Sequence, residues 1–133
     1  MNITSTDKKS RISIEHHVDE HGYYSFYIEA TIDLGHSLFH AKNTDIHFTN
    51  TEKFAKELDA FILDRSVTPF LEGTYDSNLG LVGDANNVYL SIELGSAFMG
   101  EKTHKYALSG TLEIDQETLS HVAREFKLYA EQV

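Results

Sequence analysis

The sequence contains no cysteine and no tryptophan, and its 133 residues include a single proline, Pro69. Without cysteine there is no disulfide staple, and no thiolate to serve as nucleophile or metal ligand. The apolar core must hold the fold by itself, and a chain of this length buries roughly two-thirds of the surface that it exposes when unfolded. No apolar run is long enough to span a bilayer, and Met1–Ser10 is polar, with Lys8 and Lys9 but no apolar signal core. These absences lead to the expectation of a soluble, cytoplasmic protein. Basic residues are also few: Lys and Arg number 11 against 21 Asp and Glu, a formal net charge of −10. The acids are spread along the chain, which argues against nucleic-acid binding through a basic face. With 41% hydrophobic and 24% charged residues and eight scattered glycines, the composition is that of a globular domain, neither collagen-like nor disordered.

What is present is alternation. From Arg11 to Val18, the residues Ile12, Ile14 and Val18 share one side and Arg11, Glu15 and His17 the other, the period of a half-buried strand. Asp19–Gly22 supplies a turn, after which Tyr24, Phe26, Ile28, Ala30, Ile32 and Leu34 share one face of a longer strand. Tyr23, Ser25, Tyr27, Glu29, Thr31 and Asp33 share the other, so the two segments read as a hairpin. The pattern is ragged from Gly35 to Thr44 and resumes with Ile46 and Phe48, as in one bent strand or two short ones. Thr49 and Glu52 read as a capping box, with Asn50 and Thr51 as other caps, and Phe54, Leu58, Phe61 and Ile62 form the stripe of a helix that stops near Arg65 or Ser66.

The second half repeats the plan. Phe70–Tyr75, Leu79–Val82, Val88–Leu94 and Tyr106–Ile114 read as strands, with Val88, Leu90, Ile92 and Leu94 inward in the third and Tyr106, Leu108, Leu112 and Ile114 inward in the fourth. Gly110 marks either a bulge or the close approach of a helix. Asp115 is the N-cap of a last helix, whose stripe is Leu119, Val122, Ala123, Phe126, Tyr129 and Ala130. Superposing Phe54 on Leu119 places Leu58 over Ala123 and Phe61 over Phe126, a strands-then-helix pseudo-repeat. The expectation is an α+β fold of two layers, with a mostly antiparallel, twisted sheet packed on two amphipathic helices. Residues 1–10 are read as a polar segment ahead of a single domain over residues 11–133.

Motifs that would carry chemistry fall short. His16, His17, His21, His36 and His40 invite a metal, but neighbours on a strand point to opposite faces, and there is no His-Glu-x-x-His helix. Gly95–Thr103 approaches a phosphate loop, yet Glu101 stands between the second glycine and Lys102, where an acid repels phosphate. Asp76–Gly80 opens like a calcium loop but lacks glycine at the sixth position and a carboxylate at the twelfth, where Asn87 stands. Ser120 and His121 are neighbours on a helix and diverge, and there is no Gly-x-Ser-x-Gly elbow. Glu15, Glu29, Glu93 and Glu113 project from strands and serve either paired-carboxylate chemistry or the solubility of a wet face. No cofactor motif and no metal set is assigned, and the chain is read as a binding protein and not an enzyme.

The out-facing residues of the strands include Glu15, His17, Tyr27, Glu29, Asp33, Asp45, His47, Tyr89, Glu93 and Glu113, which interleave acids, imidazoles and tyrosines. Tyrosine supplies rigid contact area, and carboxylates steer a basic partner. Tyr27 and Tyr89 are the expected anchors, with Glu29, Glu93, Glu15 and Asp33 as the acidic contacts.

The helix Phe54–Ile62, the segment Phe70-Leu71-Glu72-Gly73-Thr74 and the run Ser109–Leu119, which passes through Asp115-Gln116 into the last helix, resemble the small bacterial immunity proteins of the WapI type. The likeness covers roughly residues 11 to 130. It implies a cytoplasmic protein that occludes a secreted toxin domain, often a basic nuclease, with no catalytic residues to carry over. The competing expectations are a small-molecule binder or hydrolase with a pocket between sheet and helices, and a homo-oligomer joined through its sheet face.

Overall fold

The computed structural model describes residues 1–96 and 105–132. Alternation produces strands where it was visible: β1 (Asn2–Thr4), β2 (Ser10–Val18), β3 (Tyr24–Asp33) and β4 (Leu38–Ile46) precede helix α1 (Thr51–Leu63). Strands β5 (Phe70–Glu72), β6 (Asn78–Gly83), β7 (Val88–Gly95) and β8 (Ala107–Ile114) precede helix α2 (Gln116–Glu131). The fold is α+β and every pairing is antiparallel. Where one sheet was expected there are two, each of four strands in chain order, β1-β2-β3-β4 and β5-β6-β7-β8. The halves therefore repeat the same plan, four meandering strands and then a helix.

One core serves both halves. Ile12, Ile14, Phe26 and Ile28 of the first sheet, Leu81, Leu90, Ile92 and Leu112 of the second, and both helix stripes belong to a single buried cluster. The helices meet through their apolar stripes, with the rings of Phe54 and Phe126 edge to face at 4.9 Å. Phe54, Phe61 and Phe126 are fully buried, and each contributes about 1.5–3 kcal/mol by leaving water.

Several expectations need correction. Residues 1–10 are part of the domain: β1 pairs with β2, and Ile3 is completely buried. A single apolar residue between polar ones leaves no readable period. Of the two readings of the ragged stretch the bent strand holds: it is one strand with a bulge, since Phe26 pairs with Ile46 but Ile28 pairs with Asn43. The extra residue shifts the parity, so that Ala41 and Asn43 turn inward before the bulge and Ile46 after it. Thr49 and Glu52 form no capping box. Asn50 is the N-cap of α1 without a side-chain bond to the helix; its amide instead donates to Phe70 O and accepts from Glu72 N–H, both at 2.8 Å. Phe70–Tyr75 is a strand only as far as Glu72, and Gly73 bridges to Phe48 before a tight turn in which Tyr75 and Asp76 take φ of 58° and 56°. Val18 and Tyr106, expected inside, are exposed. At Gly110 neither a bulge nor a helix is found: the β7–β8 register runs through it unbroken, and the close neighbour is Ile32 of the first sheet, whose Cδ1 would lie 2.7 Å from an added Cβ.

Candidate functional site

The second sheet separates its side chains by sign as well as by polarity. Strands β5 to β8 contain three ionisable side chains besides Tyr89, namely Glu72, Glu93 and Glu113, and no Lys, Arg or His. All three point away from the core, because Leu71, Ile92 and Leu112 take the inward positions beside them. Register places Glu72, Asn78, Glu93 and Ser109 in one row across the sheet, then Phe70, Gly80, Ser91 and Thr111 in a second, and Val82, Tyr89 and Glu113 in a third. Rows of this kind are spaced by the strand separation, so Glu72 and Glu93 stand about 10 Å apart at their Cα atoms with Asn78 between them. Among the described residues no helix covers this face. Phe70 is 44% exposed, Val82 48% and Tyr89 36%. The middle row is low: Gly80 carries no side chain, and Ser91 and Thr111 bond to each other at 3.3 Å. Among the described residues no cation pairs with Glu72, Glu93 or Glu113.

The first sheet presents a different outer face. Glu15 lies opposite Tyr27, Ser13 opposite Glu29, and Arg11 opposite Thr31. His17 packs against Tyr27 at 4.7 Å between ring centroids. Glu29 faces Lys42 across the β3–β4 pair and lies 3.3 Å from His40 Nε2. Asp33 is at the far end of β3, where its carboxylate accepts from Gly35 N–H at 2.9 Å and holds the hairpin turn. Charge here is mixed and partly satisfied within the sheet. The expected contact residues therefore fall on two faces: Tyr27, Glu29, Glu15 and Asp33 on the first sheet, Tyr89 and Glu93 on the second.

Phe70 and Glu72 were not gathered with this face from sequence, although their spacing two residues apart ahead of Gly73 carried the signal. A third cluster sits where the sheets join. The bulge in β4 aims Asp45 at the β5–β6 turn, so that its carboxylate accepts from Tyr75 Oη at 2.8 Å and lies 3.2 Å from His47 Nε2. The bond to Asp45 raises the Tyr75 pKa above its usual 10.0, since losing that proton would set two anions side by side. Asp45 and His47, expected on a common outer face with the others, are committed to this joint.

Compared with protein-family models, curated proteins and solved structures, the chain returns no match. The chemistry of the surface is what a functional reading has to stand on. Among the described residues no group of three or more His, Asp or Glu is placed to hold a metal ion, and no helix is long and apolar enough to cross a membrane. His16 and His17 diverge, with the His16 ring inside a cage of Tyr24, Phe26 and Tyr129. The phosphate-loop likeness at Gly95–Thr103 falls mostly on residues 97–104, outside the described residues. Asp76 and Ser77 lie in a turn, closed by Ser77 N–H donating to Thr74 O at 3.1 Å, and Asn78 already opens β6. The carboxylates whose pKa values move, Asp7, Asp64, Asp84 and Asp115, all move down, because each accepts hydrogen bonds in a turn or a helix cap.

Proposed function

We propose that the chain is a protein-binding module whose outer face on the second sheet receives a basic partner. The observation that carries this reading is the segregation of charge: three outward carboxylates, no cation on the same four strands, and Phe70, Val82 and Tyr89 exposed among them. Unpaired carboxylates raise the local potential that draws a basic surface in, and the aromatic residues supply contact area once it has docked. Glu29 lies apart from this face, on the first sheet, where His40 Nε2 is 3.3 Å away. With the resemblance to WapI-type immunity proteins, the partner is a secreted bacterial toxin domain, and the mechanism is occlusion, with Glu93 and Glu113 pairing with Lys or Arg that would otherwise hold the toxin's substrate. No bond is broken by the chain itself.

The test is rescue of cells that express a basic toxin domain encoded beside this chain. Wild-type chain is expected to restore growth, and Glu93→Lys combined with Glu113→Lys to lose it while the circular dichroism of the purified protein stays the same. Undiminished rescue by the folded double variant would remove this face from the reading.

A further inference from the structure

Four strands form the edges of the two sheets; two of them are short, and a third is engaged at one end only. Strands β1 and β5 have three residues each, and the Phe48–Gly73 bridge closes the outer side of β5. Along β8, Thr6 N–H donates to Glu113 O at 2.9 Å and Ile32 lies against Gly110. Strand β4 is different: it has nine residues, and the bulge and the Asp45–Tyr75 bond occupy only its C-terminal end.

The hydrogen-bond alternation shows what the rest of β4 offers. Leu34 N–H donates to Ser37 O at 2.9 Å, whereas Asp33 N–H turns the other way to Lys9 O. With Ile32 opposite Phe39 and Ala30 opposite Ala41, those two residues of β4 bond to β3, and Leu38, His40 and Lys42 direct their N–H and C=O groups outward. Among the described residues none of these outward groups has a backbone partner. The stretch is also apolar for an edge, with Leu38 67% and Phe39 52% exposed. Beside it runs a groove of about 460 Å³ whose lining includes Phe39, Ala41, Leu94 and Leu108. Among the described residues that lining contains Lys42 and His40 and no carboxylate, the reverse of a molecule with 11 basic and 21 acidic residues. Glu29 engages His40, so the charge presented to a newcomer is that of Lys42.

We propose that Leu38–Lys42 receives an extended segment of another protein as a fifth strand of the first sheet, and that this segment alternates acidic with apolar side chains. The period of two decides the pattern: one set of side chains enters the groove beside Phe39 and Ala41, and the other lies beside His40 and Lys42. Main-chain bonds to the three outward residues supply affinity, and the alternation of charge supplies selection. A long exposed edge without proline or an inward charge is the place where such addition occurs. This surface is separate from the outer face of the second sheet and does not depend on it.

The test uses an end-blocked peptide of seven residues alternating Glu and Val, a counterpart with Lys for Glu, and a block peptide of the same composition as the first. Amide exchange is followed by NMR during titration of the intact chain. The alternating acidic peptide is expected to bind saturably and to slow exchange at the N–H groups of Leu38, His40 and Lys42 by at least about tenfold, with Tyr89 and Glu93 unaffected. Lys42→Glu, an exposed substitution, should weaken binding about twofold to fivefold, the worth of one surface charge pair. Equal binding of the block or the Lys peptide, or saturation without protection at those three amides, would overturn the proposal. So would a dimer in light scattering that protects the same amides without peptide, because the edge would then belong to a second copy.

Discussion

Asn43 is 3% exposed and uses both ends of its amide, donating to Gly95 O of the second sheet and accepting from Asp45 N–H of its own strand, each at 2.8 Å. Gly95 in turn has no room for a side chain: an added Cβ would lie 1.8 Å from Tyr75 O, a backbone atom that cannot step aside. At Gly110 the same addition meets only the end of the Ile32 side chain at 2.7 Å, which can rotate. Asn43→Ala should therefore lower stability by about 1–3 kcal/mol, the cost of leaving the buried Gly95 C=O and the part-buried Asp45 N–H unpaired. Gly95→Ala should cost more than Gly110→Ala, as read from urea midpoints, and equal midpoints would refute the packing argument. None of this was visible in the sequence. Asn43 sits just before the bulge, where the parity of inward positions changes, so a polar residue at a buried position looked like loss of pattern. Tyr75 reads as the end of a strand because nothing local announces that a tyrosine will take positive φ.

The two helices are built to one plan but start differently. Asp115 accepts from Thr118 N–H at 2.7 Å and caps α2, as its position ahead of the stripe indicates. Asn50 precedes α1 yet spends its side chain on β5, which explains why the Thr49–Glu52 signature led astray: long-range bonds to Phe70 and Glu72 outbid a local cap. Asp115→Ala is expected to cost about 0.5–2 kcal/mol of stability in urea unfolding. Glu52→Ala should change it by no more than about 0.5 kcal/mol, since its one contact is an exposed pair with Lys56. Acid distinguishes the two further. The Asp115 carboxyl is held below its usual 3.8, chiefly by the Thr118 N–H. A carboxylate with a lowered folded pKa adds stability that is complete above the unfolded value and disappears as pH falls through the folded one. Thermal unfolding should thus fall in temperature as pH drops below about 4, and Asp115→Asn should fall less steeply over that window. Parallel curves for the two proteins would show that the cap does not titrate with folding.

Across the whole molecule the division into two sheets decides which charges act together, and that division was not legible. Alternation shows which side of a strand faces water, and Tyr89 and Glu93 were correctly placed outward by it. It does not show which strands share a sheet, because strand pairing depends on contacts far apart in sequence. Once the pairing is known, the formal charge of −10 is seen to be uneven. Strands β1 to β4 hold Arg11 and Lys42 with Glu15, Glu29, Asp33 and Asp45, whereas β5 to β8 hold only Glu72, Glu93 and Glu113. Exposed charges separated by more than about 8 Å are screened at physiological salt, so a partner steered by this face should associate more slowly as salt is raised, while its dissociation changes little. Neutralising the face should weaken that salt dependence in a graded way. Glu72→Gln, Glu93→Gln and Glu113→Gln should each lower the slope of log association rate against ionic strength, and the triple variant should lower it most. Glu29→Gln should leave the slope nearly unchanged, since Glu29 stands on the outer face of the first sheet, away from the face that docks. Stopped-flow association with the basic partner measures all five variants beside the wild type. A slope that responds to Glu29→Gln as strongly as to Glu93→Gln would mean that the net charge of the chain steers the encounter and that neither face is privileged.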